Sequence, residues 1–137
     1  MDNGRADPDL TLATPADAAH TVRIRHRLRD WLTEQRLPHD LIADILLAVT
    51  EAVTNVVDHA YRATCPGQVA LSVRRTAGQL VTTISDQGTW RPPLADPGNR
   101  GRGLRLVRAL AQHVHIDTQR GGTTVTAVFT LPAATEG

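Results

Sequence analysis

The sequence predicts an α/β fold, a two-layer sandwich with helices packed on one face of a mixed, largely antiparallel sheet. Two long segments with helical apolar spacing lie between residues 14 and 64, and two runs of alternating apolar and polar residues follow at 68–85. A further helical segment and two more alternating runs come after a long loop. Helices followed by consecutive strands are typical of an antiparallel sheet covered on one side.

The first elements predict an edge strand and a long helix. Residues 10–13 have the character of a short strand, and Thr14 followed by Pro15 is typical of a helix N-cap with proline at the first helical position. We therefore expect a helix from this point to about Arg36. Residues 22–29 also alternate as a strand would, but the cap signal and the uninterrupted length favour a helix.

The second predicted helix begins near His39 and runs to about Thr64, before a Pro66–Gly67 pair that disfavours continuation. Its wide apolar face indicates that it is mostly buried. The apolar residues of this face are Leu41, Ile42, Ile45, Leu46, Val49, Val53, Val56 and Val57. The alternating runs at 68–75 and 79–85 predict an antiparallel hairpin.

The last third of the chain predicts a loop, a helix and a second hairpin. Residues 87–100 are rich in Pro, Gly, Asn and Asp, and a loop of this length suggests a function. Residues 101–112 have helical apolar spacing. Two strands are expected at 113–118 and 123–131, around a glycine turn.

The composition predicts one soluble domain, residues 10–131, between flexible tails at 1–9 and 132–137. The chain has 137 residues, and its 15 cationic and 14 acidic residues leave a net charge of +1, which gives no reason to expect nucleic acid as a partner. All the cations are arginines, which excludes a P-loop lysine. The single cysteine and the absence of a long apolar run favour a cytoplasmic protein without a membrane span.

A polar stripe interrupts the second helix. Glu51, Asn55 and His59 are spaced four residues apart, so they share one helical face. A carboxylate and a carboxamide on successive turns can act as a base and as a ligand for Mg²⁺, which prefers oxygen ligands and keeps several waters. A solvated helix face is the alternative that the spacing leaves open.

Three further segments could contact a ligand. Asp86, at a strand end before Gly88, could accept hydrogen bonds from an exocyclic amine while glycine lets a flat ring approach, although a plain turn has the same residues. The segment Arg100–Leu104 places glycines and arginines at a helix start, where backbone N–H groups and charge favour phosphate. Thr123 and Thr124 follow a glycine pair at the start of the last strand.

The order and spacing of these four segments resemble the ATP-binding domain shared by gyrase, the Hsp90 chaperones, histidine kinases and MutL. The short chain and the sequence Glu51-Ala-Val-Thr-Asn55, with His59 and Tyr61 after it, are most similar to the anti-sigma-factor serine kinases of the SpoIIAB and RsbW type. The resemblance covers about residues 10–131.

The resemblance implies ATP and Mg²⁺ as cofactors and assigns roles to the polar residues. Glu51 corresponds to the general base, Asn55 to the Mg²⁺ ligand and Asp86 to the carboxylate that holds the adenine amino group. The other nucleotide-binding residues that it implies are Gly88, Arg100, Gly101, Gly103, Leu104 and Thr123 or Thr124.

The implied function is that of a protein serine kinase that sequesters a sigma factor and phosphorylates a STAS-type anti-anti-sigma factor. The resemblance also implies a homodimer formed through the first strand and helix. Trp90 stands where the family has a second glycine in its Asp box, which is expected to affect nucleotide affinity. A non-catalytic ATP-binding regulatory module therefore remains the alternative.

Overall fold

The computed structural model describes residues 9–15, 18–62, 68–86, 105–119 and 122–132, with the side chains of the second helix described as far as Asn55. Residues 105–110 form a short helical segment. The other described elements are two helices and five strands. In chain order these are β1 (Leu10–Pro15), α1 (Ala18–Glu34), α2 (His39–Arg62), β2 (Gln68–Arg75), β3 (Gln79–Asp86), β4 (His113–Gln119) and β5 (Gly122–Thr130).

The five strands form one sheet in the order β1-β2-β3-β5-β4. Every pairing between these described strands is antiparallel. Both predicted hairpins are present, and the β2–β3 turn is closed by a hydrogen bond from the Thr76 amide to the Gln79 carbonyl at 2.8 Å. The predicted α/β sandwich is therefore confirmed.

Both helices lie on one face of the sheet. Helix α2 contacts α1 and the strands β2, β3 and β5, while α1 also contacts β1. In β2, β3 and β5, alternate side chains point to the helices and are buried, because successive residues of a strand face opposite sides. The largest fully buried side chains are Phe129, Leu28, Leu32, Ile45, Leu71, Leu80, Ile84, Val53, Val69, Val73, Val107 and Val125.

The predicted N-cap at Thr14–Pro15 is wrong. Both residues belong to β1, where Thr14 pairs with Val69 and Pro15 with Gln68. Proline is tolerated here because β1 is an edge strand and Pro15 is its last residue, so the missing N–H costs little. The ambiguous segment 22–29 is helical, as predicted, and lies inside α1.

Helix α1 ends in a left-handed residue. Arg36 has a φ of 60°, and its amide donates to the Thr33 carbonyl at 3.0 Å. The Arg75 guanidinium, from β2, donates through Nη1 to the carbonyl oxygen and to Oε1 of Gln35, at 3.1 and 3.0 Å. These bonds satisfy carbonyls that a helix end leaves unpaired and hold α1 against the sheet.

The remaining boundaries differ from the predictions by small amounts. Helix α2 ends at Arg62, and the predicted end at Thr64 lies outside the described residues. The predicted helix 101–112 is described only from residue 105, and it is helical to residue 110. No helix in the described part of the chain is long and apolar enough to cross a membrane.

Candidate functional site

Glu51 and Asn55 lie at the boundary between the buried and exposed sides of α2. Both are half-buried, whereas Ala48 and Ala52 are buried and Leu47 is exposed. Because each residue turns a helix by about 100°, Asn55 lies about 40° to the buried side of Glu51 and Leu47 about 40° to the exposed side. The pair therefore lies at the border between the buried and the exposed sides of α2, where a ligand can contact both side chains.

The chemistry of this pair suits an oxygen-ligated cation and a base. Asn55 offers an amide oxygen and Glu51 a carboxylate, one helical turn apart. Among the described residues no group of three His, Cys, Asp or Glu side chains could hold a metal. Mg²⁺ commonly takes one or two protein ligands together with phosphate oxygens and waters.

Asp86 is buried at the end of β3, with only 5% of its surface exposed. It continues the row of helix-facing residues Leu80, Thr82 and Ile84. Within the described residues, the Oδ2 atom of Asp86 is buried without a hydrogen bond, although the residue does interact with other groups. A carboxylate at the end of β3 can accept hydrogen bonds from the N–H donors of a ligand.

The buried polar residue Thr82 has a structural explanation. Its hydroxyl donates to the Ala127 carbonyl across the β3–β5 pair at 3.0 Å. Thr82 and Asp86 are the buried polar or charged side chains among the described residues. Asp86 is therefore the one charged side chain that the described core contains, and it lies on the same side of the sheet as α2, which packs on β3.

The strand register separates the two candidate threonines. Ser85 pairs with Thr124, so the next step of the same antiparallel register brings Asp86 opposite Thr123. Thr123 faces the helix layer with Asp86, whereas Thr124 points to the opposite face with Ser85. Strand alternation thus places Thr123 on the same face of the sheet as Asp86, and Thr124 on the opposite face.

Several predicted site residues lie outside the described part of the chain. They are Gly88, Arg100, Gly101, Gly103 and Leu104, together with Trp90. The backbone of His59 is helical, but its side chain is not described. Their roles remain predictions.

Leu47 is an exposed apolar residue beside Glu51 that the sequence did not single out. It is 44% exposed, one turn before Glu51, while its neighbours Leu46 and Ala48 are buried. The signal was present in the helical spacing, because Leu47 does not fall on the apolar stripe of α2. An exposed leucine in this position is one of two exposed large hydrophobic residues in the described chain; the other is Val22.

Residues 14–129 match the family described as the histidine kinase-like ATPase domain. The match covers most of the chain, which therefore belongs to that family.

Two bacterial protein kinases are similar in sequence. The serine-protein kinase RsbW of Bacillus licheniformis is 32% identical over 84 residues, which cover 61% of this chain and 52% of that protein. The serine/threonine-protein kinase BtrW of Bordetella bronchiseptica is 32% identical over 111 residues, which cover 72% of this chain and 73% of that protein. The chain thus spans about half the length of the RsbW relative.

A solved structure has the same fold. It contains the RsbU and RsbW domains of Rv1364c from Mycobacterium tuberculosis and superposes with a TM-score of 0.67 at 29% identity. The match covers 95% of this chain and 35% of that chain. The described sheet and helices therefore correspond to a domain that occurs in that protein beside another one.

Proposed function

We propose that the chain is an ATP- and Mg²⁺-dependent protein serine kinase that acts as an anti-sigma factor. In this proposal it sequesters a sigma factor and phosphorylates a STAS-domain anti-anti-sigma protein on a serine. The observation that carries the proposal is the half-buried Glu51–Asn55 pair on the side of the sheet where Asp86 is buried. Relatives named serine-protein kinases support it.

Asp86 and Thr123 provide the proposed adenine contact. The Asp86 carboxylate accepts a hydrogen bond from the adenine amino group, and the Thr123 hydroxyl lies beside it to bond the ring or a bridging water. A carboxylate at this place disfavours guanine, whose corresponding position is a carbonyl. Gly88 is proposed to line the ring, and Arg100, Gly101, Gly103 and Leu104 are proposed to contact the phosphates.

Asn55 is the proposed protein ligand of Mg²⁺. Its amide oxygen fits a hard cation, and the remaining ligands would be phosphate oxygens and waters. A cation held there would neutralise charge on the phosphates. Asn55 lies on the buried side of Glu51, so it holds the nucleotide end of the site while Glu51 faces the acceptor.

Glu51 is the proposed general base. Its carboxylate accepts the proton of the serine hydroxyl while the serine oxygen forms a bond to the γ-phosphorus and the bond from that phosphorus to the leaving oxygen of ADP breaks. The products are ADP and a phosphoserine protein, and Glu51 releases the proton to solvent. Phosphoryl transfer needs chiefly positioning and charge stabilisation, which these few residues can supply.

A homodimer through β1 and α1, in the cytoplasm, is part of the same proposal. Strand β1 is an edge of the sheet, so its outer backbone groups are available to another chain. A non-catalytic ATP-binding module is the second candidate, favoured by Trp90 in place of a glycine. The two candidates differ only in whether phosphate leaves the nucleotide.

The test is incubation of the purified chain with ATP, Mg²⁺ and a panel of STAS-domain proteins, with intact mass as the readout. One phosphate added to a STAS protein, lost when that protein's acceptor serine is replaced by alanine, supports the kinase. Nucleotide binding and sigma-factor capture without any transfer would support the non-catalytic module instead. Elution of the chain at the mass of a dimer tests the homodimer.

A further inference from the structure

We propose that the exposed side of α2 beside Glu51 is the surface on which the serine-bearing protein docks. This surface, named the α2 flank, consists of Asp44, Leu47 and Thr54. The inference rests on the proposed kinase function and adds to it the residues that select the acceptor. The α2 flank would bind an acceptor segment that carries, near its serine, an apolar side chain to contact Leu47 and a basic side chain to contact Asp44.

A helix face that only contacts water does not need an exposed apolar side chain such as Leu47. A single exposed leucine is ordinary on a protein surface, so its exposure of 44% alone decides nothing. Its place is what matters, because it lies one turn before the proposed base. Residues four apart on a helix have Cβ atoms about 5–6 Å apart, so a protein that reaches Glu51 also covers Leu47.

The direction of approach follows from the helix geometry. Asn55 lies toward the buried side of Glu51, where the nucleotide is proposed to bind, while Leu47 and Thr54 lie about 40° and 60° to the other side. Both of these side chains are exposed. An acceptor hydroxyl must come within hydrogen-bond distance of the base, about 2.6–3.2 Å between heavy atoms. An acceptor protein that approaches over Leu47 and Thr54 can meet that requirement from the side away from Asn55.

The charge of the α2 flank indicates the second property of the acceptor. Asp44 is exposed three residues before Leu47, so the two are neighbours on the helix surface, with Asp44 about 20° to the Asn55 side of Glu51. Residues 39–55 contain no arginine or lysine. An arginine or lysine on the acceptor would complement the charge of Asp44. An apolar side chain of the acceptor would cover Leu47, since a few buried apolar contacts within a polar rim contribute most of the binding energy at protein interfaces.

The experiment measures steady-state phosphorylation of the STAS-domain protein that the wild-type chain modifies. Leu47→Asp is expected to raise the KM for that protein at least about tenfold, with kcat at saturating acceptor within about twofold, since a docking contact is lost but not a transition-state contact. ATP affinity, measured by calorimetry, is expected to stay unchanged. Leu47→Met, which keeps an apolar contact, should remain close to wild type.

The matched control is Ala77→Asp, which adds the same charge at an exposed position in the β2–β3 turn, at the opposite end of β3 from Asp86. It is expected to leave the KM unchanged. An unchanged KM in Leu47→Asp, an equal rise in Ala77→Asp, or a loss confined to kcat and ATP affinity would each overturn the docking proposal while the kinase stands. A wild-type chain that phosphorylates no STAS protein overturns the proposed function and this inference with it.

The charge is tested separately with Asp44→Arg. A like charge opposite a basic acceptor segment is expected to raise the KM, by an amount that shrinks as salt is added because exposed charges are screened. A lowered or unchanged KM would contradict the basic acceptor segment.

Discussion

Asp86 and Thr123 come directly after the Ser85–Thr124 pair that ends the β3–β5 register, and both lie on the helix-covered face of the sheet. Strand alternation places Ser85 and Thr124 on the other face. At this end of the two strands each face therefore carries one threonine of β5 and one polar residue of β3, and α2 packs on the face that carries Asp86 and Thr123. This relationship supplies matched variants for locating the nucleotide.

The first prediction concerns Asp86. Asp86→Ala is expected to weaken ATP binding by about 1.5–3 kcal/mol, because a hydrogen bond to a charged group is lost. Isothermal titration calorimetry with Mg²⁺ and ATP measures the change, and thermal unfolding checks that the variant folds. Ser85→Ala, one residue away on the opposite face, should bind ATP as wild type does. Equal ATP affinity in Asp86→Ala would remove this residue from the site.

The second prediction separates Thr123 from Thr124. Thr123→Val is expected to weaken ATP binding by about 0.5–1.5 kcal/mol, the net value of one hydrogen bond, while Thr124→Val leaves it unchanged. Both substitutions keep the side-chain shape and the strand propensity, so the comparison isolates the hydroxyl. The reverse order of effects would show that the nucleotide lies on the open face of the sheet.

The third prediction concerns the stability of the α1 C-terminus. The left-handed conformation of Arg36 costs roughly 1–2 kcal/mol in a residue with a Cβ, and glycine does not pay this cost. Glycine also makes the unfolded chain more flexible, which lowers the free energy of unfolding by about 0.4–1 kcal/mol. Arg36→Gly is therefore expected to raise the free energy of unfolding by about 0.5–1 kcal/mol in urea titration. Arg36→Ala keeps the strained conformation and should not stabilise; an equal gain in both variants would point to the lost charge instead.

Much of the fold could be predicted from periodicity. The strands β2 and β3 alternate clearly, and α1 was recognised as a helix over residues 22–29 even though the arginines there alternate with apolar residues. The end of β1 could not be predicted locally, because Thr14 and Pro15 are good helix-start residues. Their pairing with Val69 and Gln68 is a long-range contact that outweighs the local preference.

The candidate site was predictable in its residue types but not in its geometry. The four-residue spacing of Glu51 and Asn55 placed them on one face, and the helix confirms that they share a half-buried position. The choice between Thr123 and Thr124 needed the β3–β5 register, because both residues suit the start of a strand. Leu47 was missed because the sequence does not show that this leucine, which lies off the apolar stripe, is exposed beside the half-buried Glu51.

The fourth prediction distinguishes the metal ligand from the base. Asn55→Ala is expected to lose phosphoryl transfer and the Mg²⁺-dependent part of ATP binding together, because its amide oxygen is the proposed protein ligand. Calorimetry with and without Mg²⁺ measures the second effect. If Asn55→Ala binds ATP with the same Mg²⁺ dependence as wild type, the cation is held by other residues.

The most direct test of the kinase mechanism is the rate of phosphate transfer by Glu51→Ala to a STAS-domain protein, followed by intact mass beside the wild-type chain. A positioned general base contributes about 10²- to 10⁴-fold to the rate, so the variant is expected to lose transfer to that extent while ATP binding and sigma-factor capture stay largely intact. Transfer by Glu51→Ala at the wild-type rate would contradict the assignment of Glu51 as the base.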